Sequence, residues 1–439
     1  MHITRDIIRK DITYEGSSYS DICAQVNRWK NLFRSRGAKK GDLVALAILE
    51  MNVNHVSAIF AIAEMGMKLL VIDKPVTEQT LHMTKMAIFG PVDFALECDV
   101  ARNSPLHHEM VVAYSKQVIH ESEYESFSDD SESDIECETT DHFLLASTSG
   151  TTNRSKPIWF THEELYKISK RNIEVFKFEP ESCVLHTRNM HHASSLLTFL
   201  LPALMGSKNH HFAYMFANPT SFLSICEEEI IPHKIDRLLC GNMFDVAKLI
   251  ESLNNVGGSI PNKILINISG FTVTKVLVDY VKKYNIEFMS HYGSIDTGIP
   301  LLLNHITADY EFEPSRLGIQ PDAFYGMETR DGFTEISCSM WSSPRIIQDN
   351  LEQRGGVWYY GGRLERDPIE NFVASITSEY SFVIFDDTRH LVLWEDVDSS
   401  KFANLAIADI HYLDKETFTV DTKINMDQLR EYLRCTHGK

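Results

Sequence analysis

A chain of 439 residues with 44% hydrophobic and 23% charged residues has an ordinary globular composition, and its length suggests two or three domains of roughly 150 residues. This composition excludes a mostly disordered, fibrous or disulfide-rich protein. The formal net charge of −19 also disfavours nucleic acid as a partner, because such a surface repels a phosphate backbone.

The cysteines and the apolar runs bear on the cellular compartment. The eight cysteines include no C-x-x-C pair, which disfavours a zinc site or a disulfide framework and fits a reducing compartment. Met1–Asp6 carries no apolar signal segment. The longest apolar run, Leu196–Met205, has ten residues and is too short to cross a bilayer. We therefore expect a soluble, cytoplasmic protein without a membrane span.

Helices and strands alternate in the first part of the chain. Apolar residues at helical spacing predict helices over Tyr19–Arg36 and Val53–Met65, each followed by a glycine that favours a helix end. Continuous apolar runs predict strands over Leu43–Leu49 and Lys68–Ile72. This order predicts an α/β fold with a parallel sheet.

An acidic, serine-rich segment follows at Glu121–Glu138. It holds nine acids and five serines, and no lysine or arginine lies between Lys116 and Arg154. Such a charge run favours a solvated, mobile loop. A segment whose state depends on phosphorylation is the alternative that the composition leaves open.

The next segment has the residues of a phosphate-binding loop. Phe143–Ala146 predicts a short buried strand, and Ser147–Pro157 then reads S-T-S-G-T-T-N-R-S-K-P. Hydroxyls and backbone N–H groups donate hydrogen bonds to phosphate oxygens, glycine allows close approach of the backbone, and lysine supplies a positive charge. The spacing is not that of a Walker loop.

Four further segments extend the comparison, and together with this loop they follow the order of a known superfamily's motifs. Together they resemble the adenylate-forming superfamily of acyl-CoA synthetases, peptide-synthetase adenylation domains and luciferases. The phosphate loop of that superfamily reads T-S-G-T-T-G-x-P-K, and its later motifs read Y-G-x-T-E and G-R-x-D-D. The segments that carry the resemblance are Ile12–Tyr14, Gly37–Ala45, Ser147–Lys156, His291–Asp296 and Gly362–Asp367.

The resemblance implies both a fold and a reaction. The fold is α/β, with a large layered N-terminal domain of parallel-rich sheets (residues 1–362), a hinge (363–366) and a short α+β C-terminal lid (367–439). The reaction is the ATP- and Mg²⁺-dependent activation of an aliphatic or aryl carboxylic acid to an acyl-adenylate, with release of pyrophosphate. The acyl group then passes to a thiol, of coenzyme A or a carrier protein, or to another nucleophile.

The resemblance also implies the nucleotide site. Asp296 would bind Mg²⁺, Asp349 and Arg363 would hold the ribose, and Lys423 would be the mobile catalytic lysine. The phosphates would contact Lys156 and the loop residues Thr148, Ser149, Gly150, Thr151 and Thr152. The adenine pocket would be formed by Ser269, Gly270, Phe271, Tyr292 and Gly293.

A second set of residues would bind the carboxylic acid. His191, His192 and Ser195 resemble the start of the family's helix that lines the acyl pocket. Ala193-Ser194-Ser195 stands where peptide-synthetase domains usually carry an aspartate that pairs with an amino group, which disfavours an α-amino acid. The two adjacent histidines could bind zinc, but no third ligand at suitable spacing accompanies them.

Several positions depart from the family pattern. The substitutions lie at Asn153, Ser155, Pro157, Ile295 and Thr422. Only 76 residues follow Arg363, and no glycine occurs between Leu364 and His437. The segment from Leu364 holds 15 acids against eight lysines and arginines, a poor surface for anionic coenzyme A. These departures leave a second hypothesis open, a degenerate relative that binds nucleotide as a regulatory or scaffold module.

Overall fold

The chain divides into two compact units in a computed structural model. The first unit comprises Met1–Ser269 and Tyr280–Leu301, and the second comprises Gly270–Asp279 and Leu302–Lys439. The predicted hinge at 363–366 stays a prediction, because residues 364–379 lie outside the described ranges. The structure describes residues 2–47, 51–72, 91–98, 105–130, 136–147, 157–187, 195–212, 230–239, 263–269, 273–284, 286–295, 297–298, 300–330, 333–341, 344–347, 349–363, 380–385, 388–393, 409–413, 419–420 and 423–424.

The first unit alternates helices and strands. Its strands are β1 (Thr13–Tyr14), β2 (Ser17–Ser18), β3 (Leu43–Ala47), β4 (Lys68–Val71), β5 (Val92–Glu97), β6 (Ser115–His120), β7 (His142–Ser147), β8 (Pro157–Thr161), β9 (Cys183–His186), β10 (Asn209–Phe212), β11 (Arg237–Leu239), β12 (Ile264–Ser269) and β13 (Ile286–Tyr292). Its helices are α1 (Tyr19–Ser35), α2 (Val53–Glu64), α3 (Pro105–Tyr114), α4 (His162–Phe176) and α5 (Leu201–Gly206). Shorter helical turns are the 3₁₀ turns Arg5–Ile7 and Glu121–Ser126 and the π-helical turn Ser195–Leu200.

The helices and strands predicted from apolar spacing are confirmed to within one or two residues. Helix α1 begins at a capping box, in which Ser18 Oγ accepts from the Asp21 N–H and the Asp21 carboxylate accepts from the Ser18 N–H. The helix ends ahead of Gly37, whose φ is +79°. It buries the apolar positions that define its predicted face, Ile22, Val26, Trp29, Leu32 and Phe33.

Two parallel-rich sheets form the core of this unit, so the predicted α/β class is confirmed. The first sheet has the order β6-β5-β3-β4-β7-β8, and only the β7–β8 pair is antiparallel. The strands of this unit in the second sheet have the order β13-β12-β11-β9-β10-β1-β2, parallel from β13 to β1. Strands buried on both faces are apolar, as in β3 and in β4 after its first residue, Lys68.

A buried ionic cluster ties the N-terminal turn to α1 and α2. Arg5 Nη2 lies 2.5 Å from Glu64 Oε2, and Lys30 Nζ lies 3.4 Å from the same oxygen. The Lys30 and Glu64 side chains are 0% and 2% exposed. Burial lowers the pKa of Lys30, and the Glu64 carboxylate opposes that shift. Glu64 is thus the anion that compensates two buried cations.

The acidic segment differs from its prediction. Glu121–Ser126 forms a 3₁₀ helix, so the expectation of a mobile loop is wrong for these residues. Tyr124 is buried and stacks on Trp29 of α1 with ring centroids 4.7 Å apart. Asn27 and Asn31 of α1 donate hydrogen bonds to the carbonyls of residues 129 and 128. The aromatic stack and these amide contacts hold the segment against α1.

The second unit consists mainly of small antiparallel sheets. Its strands are β14 (Leu302–Ile306), β15 (Arg316–Gly318), β16 (Gly326–Arg330), β17 (Phe333–Ser337), β18 (Arg345–Ile347), β19 (Asp349–Arg354), β20 (Val357–Arg363), β21 (Tyr380–Phe385), β22 (Thr388–Leu393), β23 (Asp409–Tyr412), β24 (Thr419–Val420) and β25 (Lys423–Ile424). The sheet orders include β15-β20-β19, β16-β17-β18, β21-β22-β23 and β24-β25. Helix α6 (Lys275–Lys283) contains the boundary between Asp279, assigned to the second unit, and Tyr280, assigned to the first. No helix in the described ranges combines the length and apolarity needed to cross a membrane.

Candidate active site

The carboxyl ends of five parallel strands meet at one edge of the second sheet. Strands β9 to β13 run in the same direction, and ligands of α/β proteins bind outside this end of their strands. The register aligns His186, the last residue of β9, with Phe212 of β10 and Leu239 of β11. Farther along the edge, Ser269 of β12 pairs with His291 of β13.

A small cavity lies at this edge. It has room for about one water molecule. Among the described residues its walls are Met51, His186, Ser195, Phe199, Leu200, Phe212 and Leu239. Ser195, which the sequence predicts in the substrate pocket, is therefore one of its lining residues and is buried on the π-helical turn.

His186, in the wall of this cavity, contacts a second buried histidine, His210. His186 Nε2 is 3.2 Å from His210 Nδ1, and His210 Nε2 is 2.9 Å from the carbonyl oxygen of Ser207. Tyr14 stacks on both rings, with centroids 6.1 Å from His186 and 5.8 Å from His210. Burial lowers the pKa of His210 to about 4 and that of His186 well below its ordinary value. Both imidazoles are therefore neutral at pH 7.

Strand β13 brings Tyr292 to the same edge of the sheet. Its neighbour His291 packs edge-on against Phe199, a pocket residue, with ring centroids 5.4 Å apart. The carbonyl of Tyr292 accepts from the Leu301 N–H at 2.8 Å. The strand end that carries Tyr292 and Gly293 thus packs on the wall of the pocket.

A hydrogen-bonded turn follows Tyr292 and Gly293. Thr297 Oγ1 donates to the Ser294 carbonyl at 2.7 Å, and the Gly298 N–H donates to the same carbonyl at 3.1 Å. Gly298 has φ +71°, and a Cβ there would lie 2.9 Å from Phe160 Cε1. The turn therefore needs glycine at this position both for its backbone angle and for space.

In the second unit, the two predicted ribose residues face each other. Asp349 and Arg363 are Cα partners across the antiparallel β19–β20 pair. Two residues of β20, Gly361 and Gly362, lie opposite the single residue Asn350, which makes a β-bulge. Thr334 Oγ1 donates to the Asp349 carbonyl at 3.0 Å and fixes this end of β19.

Comparison with known proteins places the chain in a family. The model of the family described as AMP-binding enzyme matches residues 6–233, more than half of the chain. The chain belongs to the AMP-binding enzyme family. Membership makes it an adenylate-forming ligase, as the sequence resemblance predicts. A comparison with curated protein sequences gave no match.

Solved structures of AMP-binding enzymes share the fold over nearly the whole chain. A fatty acyl CoA synthetase of Mycobacterium tuberculosis is 15% identical with a TM-score of 0.73, covering 96% of this chain and 93% of its own. A benzoate CoA ligase of Burkholderia xenovorans is 13% identical with a TM-score of 0.72, covering 94% of each chain. ATP-bound MatB from Rhodopseudomonas palustris is 15% identical with a TM-score of 0.68, covering 96% of this chain and 94% of its own. At such identities these likenesses establish the fold alone.

For the other predicted site residues of this AMP-binding enzyme, the structure gives few contacts or none. Lys423 begins β25 and pairs with Val420 of β24. None of the described His, Cys, Asp and Glu side chains forms a group that could hold a metal ion. The residues that lie outside the described ranges are Thr148, Ser149, Gly150, Thr151, Thr152, Lys156, His191, His192, Gly270, Phe271 and Asp296.

Sequence reasoning missed five residues at and beside this cavity. Met51, Phe212 and Leu239 line it, and His186 and His210 form the histidine pair. The available signal was the histidines of two short segments, Cys183–His186, which is otherwise apolar, and Asn209–Phe212, which holds two of them. That signal becomes specific only when the parallel register of β9 and β10 is known.

Proposed function

We propose that the protein uses ATP and Mg²⁺ to activate an aliphatic or aryl carboxylic acid as an acyl-adenylate, with release of pyrophosphate. The observation that carries this proposal is the match of the chain to the AMP-binding enzyme family, with Tyr292 at the carboxyl edge of a parallel sheet. A neighbour of the same fold is described as ATP-bound, which supports ATP as the nucleotide.

The chemistry requires a carboxylate oxygen to attack the α-phosphorus of ATP. Within this scheme, Tyr292 and Gly293 border the adenine, and Asp349 with Arg363 binds the ribose. Thr148–Thr152 and Lys156 donate hydrogen bonds and positive charge to the β- and γ-phosphates. Ser195 and the apolar walls position the acid so that its oxygen is in line with the leaving pyrophosphate.

Asp296 is the residue proposed to hold Mg²⁺. Its carboxylate is the hard oxygen ligand that this ion favours, and its neighbours in the sequence, Ser294, Thr297 and Gly298, are hydrogen-bonded to one another. Bound Mg²⁺ supplies charge compensation for the triphosphate. Replacing Asp296 by Ala should raise the Mg²⁺ concentration needed for half-maximal pyrophosphate release, and an unchanged requirement would remove Asp296 from the site.

Lys423 is proposed as the cation beside the forming anhydride, carried by the lid (367–439). Lys423→Ala should slow pyrophosphate release roughly 100-fold or more, the typical effect of losing one such electrostatic contact, while ATP binding stays within a few-fold. Lys401→Ala, in the same segment, is the matched control and should retain activity. Release within tenfold of wild type in Lys423→Ala would refute the assignment.

The second half-reaction is proposed to use a thiol of a carrier protein, or an amine or hydroxyl, in preference to free coenzyme A. The 15 acids against eight basic residues after Arg363 would repel the phosphates of coenzyme A. Two neighbours of the same fold are described as CoA synthetase and CoA ligase, so coenzyme A is the direct test. Acyl-CoA formation as fast as adenylation would contradict this preference.

A second candidate is a regulatory or scaffold protein that binds nucleotide without turnover. Asn153, Ile295 and Thr422, which depart from the family motifs, favour it. The retained Lys156 and Lys423 favour the enzyme, because a binding module has no need of both. Pyrophosphate release with a panel of carboxylic acids distinguishes the two: tight ATP binding without release from any acid would support the module.

A further inference from the structure

A single peptide group closes the loop that follows Tyr292. The Leu301 N–H donates to the carbonyl oxygen of Tyr292 at 2.8 Å. The carbonyl oxygen of Pro300, in the same peptide group, accepts from Arg171 Nη1 at 2.8 Å. Because a peptide group is planar and rigid, a guanidinium that holds its oxygen also sets the direction of its N–H. Arg171 is therefore linked to Tyr292 through one peptide group and two hydrogen bonds.

The hydrogen bond from Arg171 to Pro300 is buried within the first unit. Arg171 is 6% exposed, and Pro300 is buried as well. A hydrogen bond from a charged donor is roughly twice as strong as one between neutral groups. Burial also keeps water from replacing the guanidinium, so loss of Arg171 would leave the Pro300 carbonyl without its donor. The closing peptide group would then lose the contact that fixes its plane.

Helix α4 contacts the same loop at a second point. Gly298 packs against Ile168 of α4 and Phe160 of β8, and a Cβ at Gly298 would lie within 3.0 Å of both side chains. Ile168 and Arg171 are three positions apart in the helix and therefore lie on the same face of it. One face of α4 thus holds the loop both at Gly298 and at Pro300.

The position of Tyr292 depends on this loop because the strand pairing ends before it. Among the described residues, the register between β12 and β13 ends at the pair Ser269 and His291. Tyr292 is the next residue and the last of β13. Its carbonyl oxygen is held by the Leu301 N–H of the closing peptide group, which Arg171 holds in turn.

We propose that Arg171 is a positioning residue for the adenine end of the nucleotide site. By holding the Pro300–Leu301 peptide group, Arg171 sets the position of Tyr292 and of Gly293, which follows it. The inference rests on the proposed function, in which these two residues border the adenine. Because Arg171 acts only through the backbone of this loop, its loss should weaken ligands that carry adenine and spare ligands that carry phosphates alone.

The test compares a ligand that has the base with one that has only phosphates. AMP and inorganic tripolyphosphate are titrated calorimetrically into the wild type and into Arg171→Met, which keeps a long side chain but has no donor. Arg171→Met should weaken AMP binding about 10–100-fold, the typical contribution of a buried hydrogen bond from a charged group. Tripolyphosphate binding should stay within about threefold. In pyrophosphate release, the KM for ATP should rise by the same factor as the AMP dissociation constant, while kcat changes by less than about threefold.

Further variants separate positioning from folding. Arg171→Lys keeps a cationic donor and should recover part of the AMP affinity, whereas Arg171→Gln, whose amide is too short to reach the Pro300 oxygen, should behave like Arg171→Met. Arg237→Met is the matched control, because Arg237 is also 6% exposed and donates to two backbone carbonyls, those of Phe176 and Lys177. Arg237→Met should lose at least as much stability in urea unfolding but keep its AMP affinity within about threefold.

The outcomes separate this inference from the proposed function. Thermal melting establishes that each variant is folded. Unchanged AMP affinity in folded Arg171→Met or Arg171→Gln would overturn the inference and leave adenylation intact, and so would an equal weakening of AMP and tripolyphosphate. Since the titrations need no turnover, a wild type that binds AMP but releases no pyrophosphate with any acid would contradict the proposed adenylation and leave the role of Arg171 intact. A wild type that binds neither AMP nor ATP would contradict both.

Discussion

Replacing Gly298 by Ala should damage both the turn that follows Tyr292 and the stability of the first unit. Gly298 has φ +71°, which L side chains rarely adopt. The new Cβ would lie 2.9 Å from Phe160 Cε1 and 3.0 Å from Ile168 Cδ1, both closer than carbon atoms normally approach. Phe160 and Ile168 are 1% exposed, so neither can move aside without disturbing the core.

The size of the effect has two parts. The left-handed backbone costs a non-glycine residue about 1–2 kcal/mol. Forcing one extra methyl group into a packed region costs about 1–3 kcal/mol. Their sum, about 2–5 kcal/mol, is large against a total stability of about 5–15 kcal/mol for a folded domain. Pyrophosphate release should also slow, because the Gly298 N–H closes the turn on Ser294.

Gly41→Ala is the matched control for the backbone part. Gly41 has φ +90°, and a Cβ there would meet nothing within 4 Å. Urea unfolding followed by tryptophan fluorescence should therefore show a loss of about 1–2 kcal/mol for Gly41→Ala and the additional packing cost only for Gly298→Ala. Equal losses for the two variants, or full activity in Gly298→Ala, would refute the reasoning about the contact with Phe160.

Three further predictions concern charge and burial. Glu64→Ala leaves two buried cations uncompensated and should cost about 3–5 kcal/mol, whereas Glu163→Ala, from an exposed pair with Lys167, should cost less than about 1 kcal/mol in the same urea assay. Acidification from pH 6.5 to about 4 should destabilise the protein, because burial lowers the pKa of His162 to about 4 and the unfolded imidazole binds a proton first; an unaltered slope in His162→Gln would contradict this. Burial alone would raise the pKa of Glu121, yet the hydrogen bonds to its carboxylate lower it to about 2. The free energy of unfolding should therefore fall again as the pH drops from 4.5 to about 2. Glu121→Gln should remove this part of the pH dependence.

The local elements could be predicted from the sequence because their signals are local. The cap at Ser18 and the spacing of the apolar residues in α1 specify one helix and one buried face. Strands β3 and β4 appear in the sequence as apolar runs for the same reason. The order of strands within a sheet does not follow from such local signals. Strand β3 pairs with β4 on one side and with β5 on the other. The apolar pattern of β5 does not indicate that it pairs with β3 and not with β4.

The acidic segment shows where composition misleads. Nine acids in Glu121–Glu138 indicate a polar surface, but a count of residue types does not show that one aromatic residue of the segment, Tyr124, is buried. Tyr124 finds Trp29 on α1, and its hydroxyl donates to Asn54 Oδ1 at 2.6 Å. The buried ring and its hydrogen bond, together with the contact between Glu121 and His55, hold the turn against the helices.

Site residues that are neighbours in the sequence could be predicted, and those that only the fold brings together could not. Tyr292 and Gly293 belong to a short motif, so the sequence alone suggests them. The histidine pair depends on residues 24 apart, and its chemistry exists only because β9 and β10 run parallel in a register that sets His186 opposite Phe212 and within reach of His210. A motif identifies the nucleotide end of such an enzyme, because ATP is the same in every member. The acid differs between members, so its recognition has to be found in side chains that only the fold brings together.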